Sequence, residues 1–334
     1  MKRRGMRDVA AAAGVSVSTV ANVLNNPGVV AEGTRRRVEG AMAEIGFVRS
    51  AAARQLRGLP SRLVGSVTLD QSNPFYAELN RGIEDHLDEA GCMLLACSTD
   101  QRGDKELRVL QLLEEHSPRG VIITPTGANP GRLAAVSGRG TPVVLLDARQ
   151  DGADLCAAAV DHVLGGRLAG EHLLGLGHRH IAFLTAGDDI EPVRERRAGL
   201  AAALEDAGAP PPVGVRAAEA GFSAGTDAAV SKLVHFDPKP TAVVCVNDIA
   251  ALAVIRALQA RGLRVPGDMS VVGYDDLPFA AHVRPALTTI ARPIRALGRV
   301  AAELLLAEGP AGHRHRELMF APRLVVRATT GRIG

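Results

Sequence analysis

Residues 8–25 read Asp8-Val9-Ala10-Ala11-Ala12-Ala13-Gly14-Val15-Ser16-Val17-Ser18-Thr19-Val20-Ala21-Asn22-Val23-Leu24-Asn25. Val9, Ala10 and Ala13 share one face at helical spacing, Gly14 permits a turn, and Ser16 stands where an N-cap would open a second helix. Val20, Val23 and Leu24 return that second helix to the same core, which predicts a helix-turn-helix. Val17, Ser18, Ala21 and Asn22 then point outward, and the N-terminal residues of such a helix are those a recognition helix turns toward base edges. Asn25-Asn26-Pro27-Gly28 ends it with strong turn formers. A third helix is expected from about Thr34, through the basic turn Arg35-Arg36-Arg37, to Ile45-Gly46.

Charge supports a nucleic-acid contact at this end. Residues 1–57 carry ten basic and four acidic side chains, whereas the rest of the 334 carry 29 basic and 32 acidic. A basic head on a mildly acidic body is what attraction to phosphates requires, although charge alone leaves a solvated face equally open. Only Lys2, Lys105, Lys232 and Lys239 are lysines, and none follows a glycine, which excludes a Walker A phosphate loop. Cys92, Cys97, Cys156 and Cys245 form no C-x-x-C pair and suit reduced thiols. No apolar run approaches the ~18 residues of a membrane span. Met1-Lys2-Arg3-Arg4 resembles the start of a twin-arginine secretory signal. Asp8 interrupts the step to the apolar run, and Ser16, Ser18 and Thr19 end it, so a cytoplasmic protein is expected.

The length allows two or three domains. From residue 62 on, short apolar runs alternate with amphipathic segments. Strands are expected at residues 63–69, 93–97, 121–124, 143–146, 181–185, 243–246 and 270–273. Helices are expected at 76–89, 107–115, 166–174, 197–206 and 249–260. Buried strands alternating with helices mean parallel sheets, so the fold class is α/β with a small all-α head. Ligands in such sheets bind beyond the carboxyl ends of strands, where Asp147, Asn247-Asp248 and Asp275-Asp276 fall. Each of these is equally placed to cap the next helix. Between head and body, Ser50 to Gly58 reads as a helix of about seven residues, too short to be stable alone and a candidate for folding on a partner.

Several segments together carry a family resemblance. Asp8-Val9-Ala10, Ala13-Gly14-Val15-Ser16, Thr19-Val20 and Val23-Leu24-Asn25 resemble the headpiece of the lactose-repressor/galactose-repressor family of bacterial transcription regulators. Ala53-Arg54-Gln55-Leu56 resembles its hinge. Further signatures follow in the family's order: Asn73-Pro74-Phe75-Tyr76, Leu176-Gly177-His178-Arg179, Arg196-Arg197-Ala198-Gly199, Asn247-Asp248, residues 270–276 and Leu287-Thr288-Thr289-Ile290. The resemblance implies a head at residues 1–46, a hinge helix and linker at 47–60, and a core of two α/β lobes at 61–334, similar to type I periplasmic sugar-binding proteins. It also implies a homodimer on a palindromic DNA operator, with a small-molecule effector, expected to be a carbohydrate, and no cofactor.

Candidate DNA contacts are Arg7, Ser16, Val17, Ser18, Thr19, Asn22, Asn25 and Thr34 in the head, with Ser50, Ala53 and Leu56 in the hinge. Leu56 would act as an apolar wedge in the central minor-groove step. Candidate effector residues are Phe75, Asp147, Arg196, Phe222, Asn247 and Asp275; carboxylates and a guanidinium fork suit sugar hydroxyls, and Phe222 could stack on a ring. Glu191, Arg194 and Glu195 would fit a charged effector or simply face water. The head departs from the family in three places. Ala21-Asn22 stands where Ser-Arg is common and favours adenine over guanine. Ala31 stands where a serine often caps the third helix. Arg49 replaces a frequent proline, which adds a phosphate contact and loosens the backbone.

Features of other functional classes are present in part. Gly221-Phe222-Ser223-Ala224-Gly225 matches a hydrolase nucleophile elbow, with Asp275 and His282 later in the required order. Arg216 and Glu219 interrupt the strand that should precede it, and no glycine-rich oxyanion loop is visible, so no catalytic residue is assigned. A periplasmic solute-binding protein would share the two lobes and lack the basic head. His178-x-His180 and His313-x-His315 offer imidazole pairs, but no carboxylate or cysteine at ligand spacing accompanies them, and no metal is expected.

Overall fold

The computed structural model describes residues 4–49, 60–127, 130–150, 152, 154–186, 190–217, 224–308 and 313–333. The chain divides into two compact units, Met1–Ser61 and Arg62–Gly334. In the first, α1 (Met6–Ala13), α2 (Val17–Asn25) and α3 (Glu32–Glu44) each place a fully buried valine at the centre: Val9, Val20 and Val38. Gly14 takes the left-handed backbone that turns α1 into α2, with φ 62°. The Ser16 hydroxyl accepts the Thr19 N–H at 3.1 Å and caps α2. Helix α3 begins before Thr34 because Glu32 suits a helix N-terminus and pairs with Arg36 one turn on. Its N-cap, Ala31, supplies no side-chain bond.

The second unit holds two lobes. Strands β1 (Leu63–Thr68), β2 (Met93–Ser98), β3 (Gly120–Ile123), β4 (Val143–Leu146), β5 (Cys156–Val160) and the late β11 (Glu317–Phe320) form one sheet. Its order is β11-β5-β4-β3-β1-β2 and every pair is parallel. Strands β6 (Ile181–Ala186), β7 (Val213–Ala217), β8 (Ala242–Cys245), β9 (Ser270–Asp275), β10 (Thr288–Ala291) and β12 (Arg323–Val325) form the other, in the order β12-β10-β9-β8-β6-β7. Only β12 there runs antiparallel.

Helices α4 (Pro74–Glu89), α5 (Gly103–Glu115) and α6 (Pro130–Gly138) cover the first sheet. Helices α7 (His162–Gly175), α8 (Glu191–Asp206), α9 (Ala224–Val234) and α10 (Asp248–Gln259) serve the second. The chain passes between lobes three times: after β5, after β10, and between β11 and β12. After the second passage α11 (Ile294–Ala307) packs back on α4 of the first lobe. Strands β5, β10, β11 and β12 were not among those expected. Cys156-Ala157-Ala158-Ala159-Val160 is a strand because both its faces are buried, not because alanine favours strands.

Candidate functional site

A cavity of about 470 Å³ opens where the lobes meet, within the size range of small-molecule sites. Asp147 reaches it from the carboxyl end of β4, Asp275 ends β9, Asn247 follows β8, and Phe75 and Arg196 lie in the first turn of α4 and the second turn of α8. Ile190, Val193, Ile249, Leu252 and Phe279 give it an apolar side. Asp147 and Asp275 have left-handed backbones, φ 53° and 116°, which cost on the order of 1–3 kcal/mol each and occur typically at functional sites. Asn247 does cap its helix, accepting the Ala250 N–H at 2.8 Å, so its amide N–H groups are what it offers the cavity.

Two residues that sequence reasoning missed organise this wall. Arg292, directly after β10, donates from Nη1 to Asp147 Oδ2 at 2.6 Å and from Nη2 and Nε to Asp275 Oδ1 at 2.6 and 3.0 Å. It therefore bridges the lobes, since Asp147 belongs to the first sheet and Asp275 to the second. Its guanidinium also lies 3.8 Å over the Phe75 ring, while that of Arg196 lies 3.9 Å over Tyr274. His162, the first residue of α7, contacts Asp147 Oδ1 through Nε2 at 3.0 Å. Its Nδ1 meets the Tyr274 hydroxyl at 3.0 Å and Arg196 Nε at 3.3 Å. Because Arg196 can only donate, Nδ1 accepts and Nε2 carries the proton toward the carboxylate.

The charges settle accordingly. Burial pulls the His162 imidazole down to about 4, against the attraction of Asp147, so it is neutral at ordinary pH. Burial alone would raise Asp147, but Arg292 and then His162 hold its carboxyl well below the usual range. Burial pushes Asp275 up, with Arg292 opposing. Burial also works against the charge of Arg292, yet Asp147 and Asp275 keep it protonated. Two carboxylates thus face two guanidinium groups beside a neutral imidazole. Thr124, whose buried Oγ1 has no hydrogen-bond partner among the described residues, also lines the cavity.

In the head, Ser16, Val17 and Ser18 are exposed at the start of α2, and Asn22, Asn25 and Arg7 are exposed nearby in sequence. Thr19 and Thr34 are half-buried. Ser16 Oγ bonds the hydroxyls of Ser18 and Thr19 at 2.7 and 2.8 Å, so these side chains form one polar cluster. Arg49 donates to Leu24 O at 3.0 Å and to the Asn25 side chain. Arg49 thereby satisfies the end of α2, where a cation complements the helix dipole. Ser50, Ala53, Leu56 and Phe222 lie outside the described residues.

The sequence pattern of bacterial regulatory proteins of the lacI family matches residues 5–50, and that of the periplasmic binding protein-like domain matches residues 171–330. The HTH-type transcriptional repressor PurR of Aliivibrio salmonicida is 34% identical over 331 residues, covering 98% of this chain and 99% of that protein. The chain belongs to the LacI family. The ribose operon repressor of Escherichia coli K12 is 35% identical over 303 residues, covering 90% of this chain and 92% of its own. The crystal structure of the lac repressor dimer bound to operator and the anti-inducer ONPF superposes with a TM-score of 0.83 at 30% identity, over 99% of this chain and 100% of that one.

This LacI-family protein is a ligand-responsive, DNA-binding transcriptional repressor, not an enzyme. The geometry agrees, because Asp275 is occupied by Arg292, His282 is exposed, and β7 before the elbow segment is an edge strand. Ser223 lies outside the described residues. Glu191, Arg194 and Glu195 are not among the residues lining the cavity. Among the described residues no helix is long and apolar enough to cross a membrane.

The histidine pairs need correction. His178 is buried, held between Thr241 Oγ1 at 2.9 Å and Gly331 O at 3.0 Å. His313 and His315 do have companions. Cys156 and Glu308, remote in sequence, bring a thiol and a carboxylate to them, which spacing along the chain could not reveal.

Proposed function

We propose that this repressor binds a palindromic operator as a dimer in the cytoplasm, and that a neutral sugar in the interlobe cavity changes its operator affinity. The observation that carries the effector class is charge compensation. Asp147 and Asp275 are matched by Arg292 and Arg196, His162 is neutral, and the remaining charged group of the lining, Asp70, is a carboxylate that accepts from Ser72, so the cavity offers hydrogen-bonding capacity without surplus positive charge for an anionic ligand. A polyhydroxylated ring meets this with hydroxyls that accept and donate; Thr124 and the Asn247 amide would add partners on either side. The Phe75 ring, which lines the cavity, already carries the Arg292 guanidinium, which leaves that face less suited to stacking a nucleobase. The exposed start of α2, with Ser16, Val17, Ser18 and Asn22, supports major-groove reading by the head. The dimer is supported by the edge strand β2, which leaves Met93 and Leu95 exposed.

The test pairs two measurements on the full-length protein. Selection from random duplex DNA should yield an inverted repeat, bound at a mass of two chains. Thermal-shift screening of neutral sugars, sugar phosphates and nucleobases should give a rise only with neutral sugars, and the same sugar should alter operator affinity. An asymmetric site bound by one chain would overturn the dimer. Response only to anions or nucleobases would overturn the sugar.

A further inference from the structure

Strand β5 begins at Cys156 and ends beside His162, so Cys156 lies at the end of the first sheet remote from the effector cavity. Three other side chains meet it there. Glu308 follows the last residue of α11, and His313 and His315 precede β11, which pairs with β5 so that Ala157 N–H donates to Arg316 O at 2.9 Å. Cys156 Sγ is 3.2 Å from His313 Nε2 and 3.7 Å from His315 Nδ1. Glu308 Oε1 is 3.3 Å from the same His313 nitrogen and 3.1 Å from the same His315 nitrogen. All four donor atoms lie within 4.8 Å of one another.

We propose that Cys156, Glu308, His313 and His315 form a tetrahedral site for a zinc-class divalent ion. Bonds of about 2.0–2.3 Å from such an ion, set at tetrahedral angles, place donors about 3.3–3.6 Å apart, within a few tenths of an ångström of the 3.1, 3.2, 3.3 and 3.7 Å found. The donor set fits the same class: a thiolate and two imidazoles favour zinc over the oxygen-seeking magnesium or calcium. Four protein ligands close the shell, as in structural rather than catalytic zinc sites. The thiol is fully buried and the Glu308 side chain only 9% exposed, while the imidazoles at 16% and 19% leave an entry path. Asp154 Oδ1 stands 3.9 Å from His315 Nε2, outside hydrogen-bond distance, on the ring nitrogen that does not face the cluster. A thiol binds such an ion as its thiolate, so binding releases the Cys156 proton to solvent. Bound, it would tie the start of β5 to both ends of the segment joining α11 to β11.

The full-length protein, stripped with chelator and titrated with Co²⁺, tests this directly. One equivalent should give the intense visible bands of tetrahedral cobalt and a near-ultraviolet thiolate-to-cobalt band, both erased by Zn²⁺. Cys156→Ser should lose the thiolate band. His313→Ala should weaken cobalt binding by more than the about 10–100-fold that loss of an outer partner costs. Zn²⁺ should raise the wild-type melting temperature and not that of Cys156→Ser. Should Cys156→Ser fold poorly, Glu308→Gln, which keeps the size of the side chain, must show the weakened cobalt binding instead. Folded wild-type protein without a thiolate band would overturn the site. So would a band that survives Cys156→Ser, since the ion would then sit on another cysteine.

Discussion

Burying Arg292 between Asp147 and Asp275 makes each of the three charges depend on the other two. Replacing Arg292 with methionine fills a similar volume but leaves both carboxylates without their partner. Removing one member of a buried ionic group costs about 3–5 kcal/mol, so Arg292→Met should lower unfolding stability by that order in urea titration. A loss below 1 kcal/mol would mean the carboxylates are compensated elsewhere. His162 gives a pH prediction whose sign follows from its lowered value. The unfolded chain takes a proton on this ring below about 6.5, the folded one only near 4. Its contribution is therefore complete above pH 6.5 and fades as pH falls toward 4, by on the order of 3 kcal/mol. Asp248, raised by burial and then by Asp275, works in the opposite sense, its share fading as pH rises. The clean measurement is NMR of the His162 imidazole, which should stay neutral to about pH 4; titration near 6.5 would mean that water reaches the ring. Arg292 and His162 escaped sequence reading for one reason. Each begins where a strand ends, and β10 and β5 are the strands that propensity did not reveal, whereas Asp147, Asn247 and Asp275 follow legible ones.

Elements hold these side chains through two close approaches. Helices α7 and α8 cross so tightly that a Cβ on Gly199 would sit 1.9 Å from Val163 O, and one on Gly166 equally close to Arg196 O. The crossing positions His162 and Arg196 together, since each helix carries one of them. Gly199→Ala should push the helices apart and cost at least the roughly 1–3 kcal/mol of core overpacking. Effector titration should show weakened binding along with the lower melting temperature; an unchanged variant would mean that the crossing is compliant. The segment Arg196-Arg197-Ala198-Gly199 was legible as a family signature, but the need for its glycine is a matter of helix contact that no single sequence displays. In the head the local rule was readable in advance: Ala31 has the extended backbone of an N-cap and no side-chain acceptor. Ala31→Ser should therefore stabilise α3 by about 1 kcal/mol. Slower hydrogen exchange at the first α3 amides of the full-length protein would report it, and unchanged exchange would show those N–H groups already satisfied.

At the scale of the molecule, the proposed effector cavity belongs to the unit Arg62–Gly334 and the proposed recognition helix α2 to Met1–Ser61, so the covalent path between them crosses from Ser61 to Arg62. The cavity lies where the chain passes between lobes, with Arg292 and His162 next to two of the three passages. A ligand that favours one lobe arrangement shifts the equilibrium by its differential affinity, and on the proposed reading that free energy reaches the operator through the hinge at residues 47–60. Leu56 lies outside the described residues, and its role rests on the sequence. As a wedge that unstacks a base step, it contributes only when DNA is bound. Leu56→Ala should then weaken operator binding at least tenfold, about 1.4 kcal/mol, in fluorescence anisotropy. Effector affinity without DNA should remain that of the wild type. Equal operator affinity would remove the wedge, and a parallel loss of effector binding would place Leu56 in the core's packing. Weakened operator binding with intact effector binding is the one outcome that separates a contact made on DNA from a contact made by the folded repressor alone.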